Sequence, residues 1–445
     1  MKATALFLTL LSLAAPAAAQ TPAPPPAPRL LGLAEAIATA LQQNQQLRVA
    51  AFEVAIARAQ LAQARAGKSP QLSGQASVTR TKESEATTIA FLAHGVLHTI
   101  VIPPASPNLY DARVTLQYPL YTGGRVEAQI ALAEANVRGA EATLERIKQQ
   151  IVFAARQAYF QLQLAESGLE VAERSVAQAT ENLRVARARV AAGASPRFDE
   201  VQAEVALANA LQSRVRARNA IAQAMQALAG VLNLPLTAAL RPTDPLTVRP
   251  VRETAEALVA RATQARPEFA ELAARQAAAR AGIELAQSGA RPNVVLQANG
   301  AYSNTGGLFA GSTGATSWSV TLAATLSLFD GGLTRERVRE AQLRLEQLRA
   351  MEAQQKQAVE LEVRQAVLSL QSAAEELAGA DALIVQAQEA LRIANVRFQS
   401  GVGTNLEVLN AQTAASQAEA AKAQALFNYN LARATLERAV GADLP

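Results

Sequence analysis

Two kinds of hydrophobic periodicity alternate along the chain, and each kind occurs twice. Apolar residues recur at helical spacing over residues 33–67 and 252–289, and both stretches end in a glycine followed shortly by a proline. Over residues 70–121 and 292–329 the period changes to two, with apolar and polar residues alternating. The pattern therefore predicts two β-hairpins, each preceded by a helix.

Helical periodicity returns after the double glycine that follows each hairpin. No proline lies between Pro119 and Pro196, or between Pro292 and Pro445, so two very long helices are allowed. A helix from about residue 124 to 191 would be roughly 100 Å long and would need packing partners along its length. A coiled-coil seam of two interleaved heptad series is predicted in it. Its members are Ile130, Ala133, Val137, Ala140, Leu144, Ile147, Ile151, Ala154 and Ala158. In the second long helix Val338, Leu345, Val359 and Ala366 form the corresponding series, which Glu352 interrupts.

The two halves of the chain repeat each other at a fixed distance. Gly123 and Gly331 are 208 residues apart, and so are Gly193 and Gly401. We call this distance the glycine offset. It relates the start and the predicted end of one long helix to those of the other, which indicates that the two helices are copies of one unit.

The prolines that precede the two hairpins, Pro70 and Pro292, are separated by a larger distance, which we call the proline offset. The difference means that the first hairpin carries an insertion of about 14 residues relative to the second. We interpret the chain as an internal duplication, with a first repeat over 33–241 and a second over 252–445.

Each long helix ends at a glycine, and a second helix is predicted to return antiparallel, over 197–230 and 405–440. Gly193 and Gly401 suit the left-handed conformation that terminates helices. Ser195 is predicted as the N-cap of the first return helix, with Pro196 at its first position, and Thr404 to Glu407 match a capping box. The hairpin tips, Lys82 to Ala112 and residues 303–316, are predicted to be exposed loops.

Composition narrows the choice of protein class. Hydrophobic residues make up 50% of the chain but aromatic residues only 4%, which suits close helix packing better than one bulky core. The net charge is +5, but the charges are interspersed, which argues against nucleic-acid binding. No mature window of about 18 apolar residues predicts a membrane-spanning helix.

The start of the chain predicts export. Residues 1–19 have the basic start, apolar centre and small-residue end of a cleavable signal peptide, and a proline-rich linker follows at 20–32. The chain contains no cysteine, so neither disulfides nor a lipid anchor on cysteine are expected.

Two segments carry a family resemblance that covers nearly the whole mature chain. The run RFQSGVGTNLEVLNAQ at 397–412 and ARPEF at 265–269, together with the duplicated plan, resemble the TolC family of outer-membrane efflux proteins. At position 45, where the family usually has a proline, this chain has glutamine. The resemblance implies a mainly α fold with a small β part: long antiparallel coiled-coil helices and two β-hairpins per protomer, which complete a trimeric 12-stranded β-barrel and an α-helical barrel.

The same resemblance implies an outer-membrane exit duct of a tripartite efflux or type I secretion system. Its partners would be a periplasmic adaptor (membrane fusion) protein, an inner-membrane transporter of the RND, ABC or MFS type, and outer-membrane lipid. Tyr118, Tyr121 and Phe329 would be interfacial aromatic residues, or would simply pack at the strand-to-helix junction. The alternative hypothesis is a soluble periplasmic coiled-coil scaffold or adaptor without a pore.

By resemblance the glycine turns are the periplasmic tips of such a duct. The residues expected to face the adaptor are Arg189, Gly193, Arg397, Gly401 and Gly403. Asp199 and Glu407 would belong to the gate or lumen, and Asn410 occupies the next lumen position with a neutral side chain. Glu407 could equally serve only as part of the capping box, because glutamate at that helix position stabilises the first turn.

Candidate catalytic chemistry is sparse. The only histidines, His94 and His98, fall in the first hairpin tip without a nearby acid or cysteine to complete a zinc site. Neither a nucleophile elbow nor a P-loop occurs. The sequence therefore predicts neither an enzyme nor a cofactor.

Overall fold

The computed structural model describes residues 29–82, 85–102, 108–304 and 314–444. The predicted signal peptide, most of the proline-rich linker and the centre of the second hairpin tip lie outside the described residues. The described helices are α1 (Leu33–Gln43), α2 (Gln45–Ala66), α3 (Arg125–Ala191), α4 (Arg197–Val231), α5 (Ala255–Ala265), α6 (Pro267–Gln287), α7 (Leu333–Gln399) and α8 (Asn405–Val440). The strands are β1 (Arg29–Leu31), β2 (Gln71–Arg80), β3 (Thr87–Ala93), β4 (Val96–Ile102), β5 (Asn108–Tyr121), β6 (Leu240–Pro242), β7 (Asn293–Ser303) and β8 (Ala315–Thr325).

The long helices have the predicted lengths and the predicted spacing. Both α3 and α7 contain 67 residues, and α7 begins and ends one glycine offset after α3. The double glycine before each helix adopts the left-handed conformation at both positions, with φ of 64° and 86° at Gly123 and Gly124 and 66° and 89° at Gly331 and Gly332. The two strand-to-helix connections therefore share one backbone geometry.

The helix that precedes each hairpin is broken once, where the sequence pattern predicted continuity. The breaks fall at Asn44 and Arg266, which are separated by the proline offset and have extended ψ angles of 126° and 129°. Pro267 explains the second break, because a residue before proline avoids the helical region. Asn44 makes the first break by accepting a hydrogen bond from the Gln46 amide with its own side chain.

Four strands form one antiparallel sheet in the order β2, β5, β7, β8. The two predicted hairpins are thus joined through β5 and β7, whereas β2 and β8 each have one unpaired edge within the described structure. Tyr121 and Phe329, at the strand-to-helix junctions, are exposed rather than packed in the junction.

The prediction of a loop over the whole first hairpin tip was wrong. Strands β3 and β4 form a separate two-stranded hairpin there. Its turn is His94-Gly95, with φ of 56° and 74°, as type I′ hairpin turns require. His98 lies in β4 and stacks on Phe91 with ring centroids 5.6 Å apart. The strands form because β-branched and aromatic residues flank a turn of matching twist.

The core lies about halfway along α3 and α7, where the shorter helices surround them. One cluster contains Leu31, Tyr159, Leu162 and Leu228, and another contains Val359 and several residues of α5 and α8. The fully buried Tyr159 hydroxyl donates to the Leu31 carbonyl at 3.0 Å and accepts from the amide of Thr243 at 3.2 Å. Burial raises the pKa of this phenol above its ordinary value. The connection between the two repeats is thereby attached to α3, while the predicted repeat boundaries themselves stay a prediction.

Ion pairs cross the core and hold the end of α8. Arg156 of α3 pairs with Glu437 at 2.5 Å and with Asp443 at 2.7 Å, and Glu437 also accepts from Arg433 at 3.1 Å. Because Arg433 and Glu437 are buried, each charge depends on its partner, and removing one partner alone would be costly.

Along the long helices small residues also pack at heptad spacing, only partly as predicted. Within the predicted α3 seam Ala133 and Ile151 are buried, while its other members are half-buried. Glu352 is half-buried and accepts from Gln276 at 2.8 Å. The most regular heptads lie closer to the turns: Ala165, Ala172, Ala179 and Ala186 in α3, and Ala366, Ala373, Ala380, Ala387 and Ala394 in α7. Alanine at these positions permits close approach of neighbouring helices.

Candidate functional site

The two turns at the far ends of the long helices form the candidate site. We call residues 189–199 the first tip and residues 397–407 the second tip. Both are Schellman turns. In the first tip the amides of Gly193 and Ala194 donate to the carbonyls of Val190 and Arg189 at 3.0 and 2.8 Å. The second tip repeats both bonds at the equivalent positions, each with a length of 3.1 Å.

Gly193 and Gly401 have the predicted left-handed conformation, with φ of 72° and 82°. Gly403 is constrained differently, because its φ is not in that region but the backbone of the preceding helix lies against it. A Cβ at Gly403 would come within 2.9 Å of the Phe398 amide nitrogen and of the Arg397 Cβ. Its own amide donates to the Arg397 carbonyl at 2.9 Å. The first tip has Ser195 at this position, so its turn leaves room for a side chain there.

The predicted N-cap at Ser195 was wrong by one residue. The helix starts at Arg197, and Pro196 is the N-cap residue because its ψ of 151° is extended. In the second tip the Thr404 hydroxyl accepts from the Glu407 amide at 3.3 Å, as the capping box requires. The reciprocal bond is replaced, because the Glu407 carboxylate accepts from Arg397 Nε at 3.3 Å.

Two side chains connect the first tip to the second. Arg189 Nη1 donates to the Phe398 carbonyl oxygen at 2.5 Å, and its guanidinium lies 4.5 Å from the centroid of the buried Phe398 ring. Asn405 is almost completely buried, and its Nδ2 donates to the Asp199 carbonyl at 3.1 Å. Sequence reasoning missed Phe398 and Asn405, since neither has an equivalent of its own type in the first tip.

The two arginines at corresponding positions of the tips therefore make different contacts. Arg189 crosses to the other tip, whereas its counterpart Arg397 pairs within its own tip with Glu407. Of the three residues predicted to face the lumen, Asp199 and Glu407 are half-buried and Asn410 is exposed. Only Glu407 of these has an ion-pair partner in the described part of the chain.

An apolar groove rises from the tips between α3, α4 and α8. Its α4 wall presents Phe198, Val201 and Val205, all exposed. On the opposite wall the Ser416 hydroxyl lies 2.8 Å from that of Ser175 on α3, which holds α3 against α8. The groove offers a long, mostly apolar surface next to both tips.

The described residues contain no group of three or more histidine, aspartate, glutamate or cysteine side chains that could hold a metal ion. Within the same residues none of the helices combines the length and apolarity needed to cross a membrane.

Comparison with known proteins identifies the family. The family model described as outer membrane efflux protein matches residues 36–234 and 258–442, which include both long helices, both hairpins and both tips. The chain belongs to this outer membrane efflux protein family.

Two relatives and one solved structure illustrate the similarity. The chain is 26% identical to the outer membrane protein OprJ of Pseudomonas aeruginosa over 407 residues, which cover 90% of this chain and 82% of OprJ. It is 28% identical to protein CyaE of Bordetella pertussis over 305 residues, which cover 67% of this chain and 64% of CyaE. The crystal structure of the outer membrane protein VceC from Vibrio cholerae superposes with a TM-score of 0.75 at 22% identity, covering 93% of this chain and 97% of that one.

These findings confirm the resemblance to the TolC family and the predicted fold class of the protomer. They also confirm the assignment to outer-membrane efflux rather than to a soluble scaffold. The family is one of efflux channels and not a family of enzymes.

Proposed function

We propose that three copies of the mature chain form one passive exit duct, through which a tripartite efflux or type I secretion system exports its cargo. The observation that carries this proposal is the four-stranded sheet with unpaired edges at β2 and β8. In lipid such edges would leave backbone groups unsatisfied at several kcal/mol each. Three sheets of four strands closed into one barrel satisfy every edge, and α3, α4, α7 and α8 continue from it as a tunnel wall.

The localisation and partners follow from this arrangement. The chain is exported by a cleavable signal peptide, carries no lipid, and resides in the outer membrane with its helices in the periplasm. The tips and the groove beside Phe198 and Val201 receive a periplasmic adaptor, which links the duct to an inner-membrane transporter. The duct itself performs no catalysis and needs no cofactor.

Glu407, Asp199 and Asn410 contribute to the gate. The Glu407 carboxylate pairs with Arg397 instead of capping the start of its own helix, which supports a role beyond the helix cap. Asp199 occupies the corresponding position of the other tip. Rings of carboxylates attract cations in narrow passages.

Two measurements on the purified mature protein test the proposal: its mass in mild detergent, and its ion conductance in planar bilayers. We expect the mass of a trimer and ion conductance, and we expect Glu407→Gln to weaken block by divalent cations. Glu389→Gln is the matched control, because Glu389 is an exposed α7 carboxylate that is also paired with an arginine, Arg392, at 2.7 Å. A monomer that conducts no ions would refute the duct, and equal block in both variants would refute the gate role of Glu407.

A further inference from the structure

A cleft of about 540 Å³ lies at the end of the sheet, where α6 ends and α3 and α7 begin. We call it the junction cleft. The last turns of α6 form its floor, and the first turns of α3 and α7 form its two walls. The floor carries Ala278, Gly282 and Leu285, and the walls carry Arg125, Arg337 and Arg344.

Small residues of α6 create the space in the cleft. By the proline offset, Ala278 corresponds to Ile56 of α2. Gly282 corresponds in the same way to Gln60. A Cβ added at Gly282 would meet no neighbouring atom within 4 Å, so the floor is open there. Because the first repeat has larger side chains at both positions, the duplication alone does not account for this open floor.

The walls of the cleft carry more positive charge than their own carboxylate can balance. Arg344 pairs with Glu340, which also lines the cleft, at 2.5 Å. Arg125 and Arg337 are both exposed, and neither has an ion-pair partner within the described part of the chain. Three guanidinium groups and one carboxylate therefore line the cleft, which leaves two positive charges unmatched.

The starts of the two long helices differ in charge. Residues 333–344 of α7 include four arginines and two glutamates, whereas residues 125–136 of α3 include one arginine and two glutamates. By the glycine offset, Arg337 corresponds to Gln129. Arg344 corresponds to Asn136. Two of the three cleft arginines and the open floor thus belong to the second repeat and lie together in one cleft.

The backbone amides at the two helix starts are already used. The Asp330 carboxylate accepts from the amides of Gly332 and Thr334 at 2.9 and 2.8 Å. At the start of α3 the Thr122 hydroxyl accepts from the Val126 amide at 3.3 Å. The guanidinium groups are therefore the donors that remain for an anion.

The cleft lies next to apolar side chains at the end of the sheet. Tyr121 is 50% exposed, and Leu328 and Phe329 are 89% and 90% exposed. Along the helix axes, Arg337 is about 6 Å from the start of α7 and Gly282 about 8 Å from the end of α6. The headgroup layer on each side of a bilayer is roughly 5–8 Å thick. In a duct whose sheet spans the lipid, the cleft is at the depth of the periplasmic headgroups.

We infer that the junction cleft binds an anionic phospholipid of the periplasmic leaflet, one molecule per copy of the chain. This inference rests on the duct proposed above, which places the end of the sheet at the lipid boundary. The phosphate accepts hydrogen bonds from Arg125 and Arg337, because planar guanidinium groups match phosphate oxygens. The floor at Gly282 and Leu285 covers the adjoining apolar part of the same lipid. Inorganic phosphate would use only the arginines, so the two parts of the cleft together favour an amphiphile.

Lipid binding to the purified mature protein tests the inference. Native mass spectrometry in mild detergent counts bound molecules of dioleoyl phosphatidylglycerol, with dioleoyl phosphatidylcholine as the comparison lipid. We expect phosphatidylglycerol to saturate at one molecule per chain. We expect phosphatidylcholine to bind more weakly, because its ammonium group cancels the charge of its phosphate.

Paired variants test the role of charge. Arg125→Gln combined with Arg337→Gln should weaken phosphatidylglycerol binding at least about tenfold, because hydrogen bonds to charged groups are lost at both walls. The matched control combines Arg138→Gln with Arg339→Gln. It removes two exposed arginines from the same two helices outside the cleft and should leave binding unchanged.

Two variants at one position test the role of space. Gly282→Leu should fill the floor and weaken phosphatidylglycerol binding. Gly282→Ala adds only a methyl group, which meets no neighbouring atom, and should retain it.

Three results would overturn the inference: cleft variants that bind phosphatidylglycerol as tightly as their controls, equal binding of phosphatidylcholine, or displacement of the lipid by inorganic phosphate at equal concentration. In each case the duct stands if the same protein is trimeric and conducts ions. A monomer without conductance refutes the duct itself, whatever its cleft binds.

Discussion

Gly403 offers the sharpest test of the tip geometry. In Gly403→Ala the new Cβ would lie 2.9 Å from the Phe398 nitrogen and 3.0 Å from the Arg397 carbonyl carbon, and backbone atoms cannot turn aside as a flexible side chain can. Overpacking of this kind costs about 1–3 kcal/mol. Since Gly403 also donates to the Arg397 carbonyl, the turn and the last bonds of α7 should loosen together.

Hydrogen exchange measures that loosening directly. If the substitution destabilises only the closed turn, the amides of residues 401–403 should exchange about 5- to 150-fold faster. This factor corresponds to a free-energy cost of about 1–3 kcal/mol at RT of about 0.59 kcal/mol. Mass spectrometry of peptides covering residues 395–408 provides the assay. The long helices should keep their protection, because the clash is confined to the turn.

Two companion variants separate the steric clash at residue 403 from the strain of a left-handed backbone conformation. Ser195→Ala alters the corresponding position of the first tip, where a side chain already fits, and should leave exchange there unchanged. Gly401→Ala meets no neighbouring atom but keeps a φ of 82°, so it reports only the left-handed strain of about 1–2 kcal/mol. Exchange in Gly403→Ala within twofold of the parent protein would refute the steric argument.

Three further predictions concern charged side chains. Arg189→Ala should speed amide exchange near Phe398, because it removes a charged hydrogen bond and a cation–π contact, together about 1–3 kcal/mol. Burial opposes ionisation of Glu268, but the hydrogen bonds from Arg266 and from the backbone, together with the charges of Arg266 and Arg146, outweigh burial and lower the pKa of its carboxyl. Glu268→Gln should therefore lower the melting temperature at pH 7, with the difference disappearing as pH falls below 4.5. Burial raises the pKa of the Glu166 carboxyl, so the folded state disfavours its charge, and Glu166→Gln should raise the melting temperature at pH 7 but not below pH 4.5.

Each of these has a discriminating control. Arg189→Lys retains a charge but not the planar fork, so it should recover only part of the protection. For Glu268→Gln, a melting-temperature difference that persists unchanged at pH 3 would mean that packing rather than ionisation is responsible. For Glu166→Gln, a destabilised protein at neutral pH would show that the attraction between the Glu166 carboxylate and the Arg241 charge outweighs burial.

Much of the architecture could be predicted because local sequence patterns specify it. The ends of α3, α7 and the return helices agree with the prediction to within about a residue, since glycine, proline and threonine specify turns through backbone geometry. The β3–β4 hairpin was missed although a signal was present: His94-Gly95 between apolar runs acts as Asn-Gly does, because histidine also tolerates positive φ.

The tip contacts could not be predicted in the same way. Arg189 meets Phe398, and Asn405 meets Asp199, although the members of each pair are far apart in the sequence. Their partners depend on how two helical hairpins lie side by side, which no local pattern encodes. The duplication even misleads here, since it suggests equal roles for Arg189 and Arg397 whereas the structure gives them different partners.

The position of the core along the long helices has a mechanical consequence. About thirty residues separate Tyr159 from the end of α3, which is a lever arm of roughly 45–50 Å at 1.5 Å per residue. Tilting that arm by about 10° around the cluster of Arg156, Arg433 and Glu437 would displace its free end by roughly 8 Å. A rearrangement of a few side chains at the pivot is thus amplified into a much larger displacement at the far end of the arm.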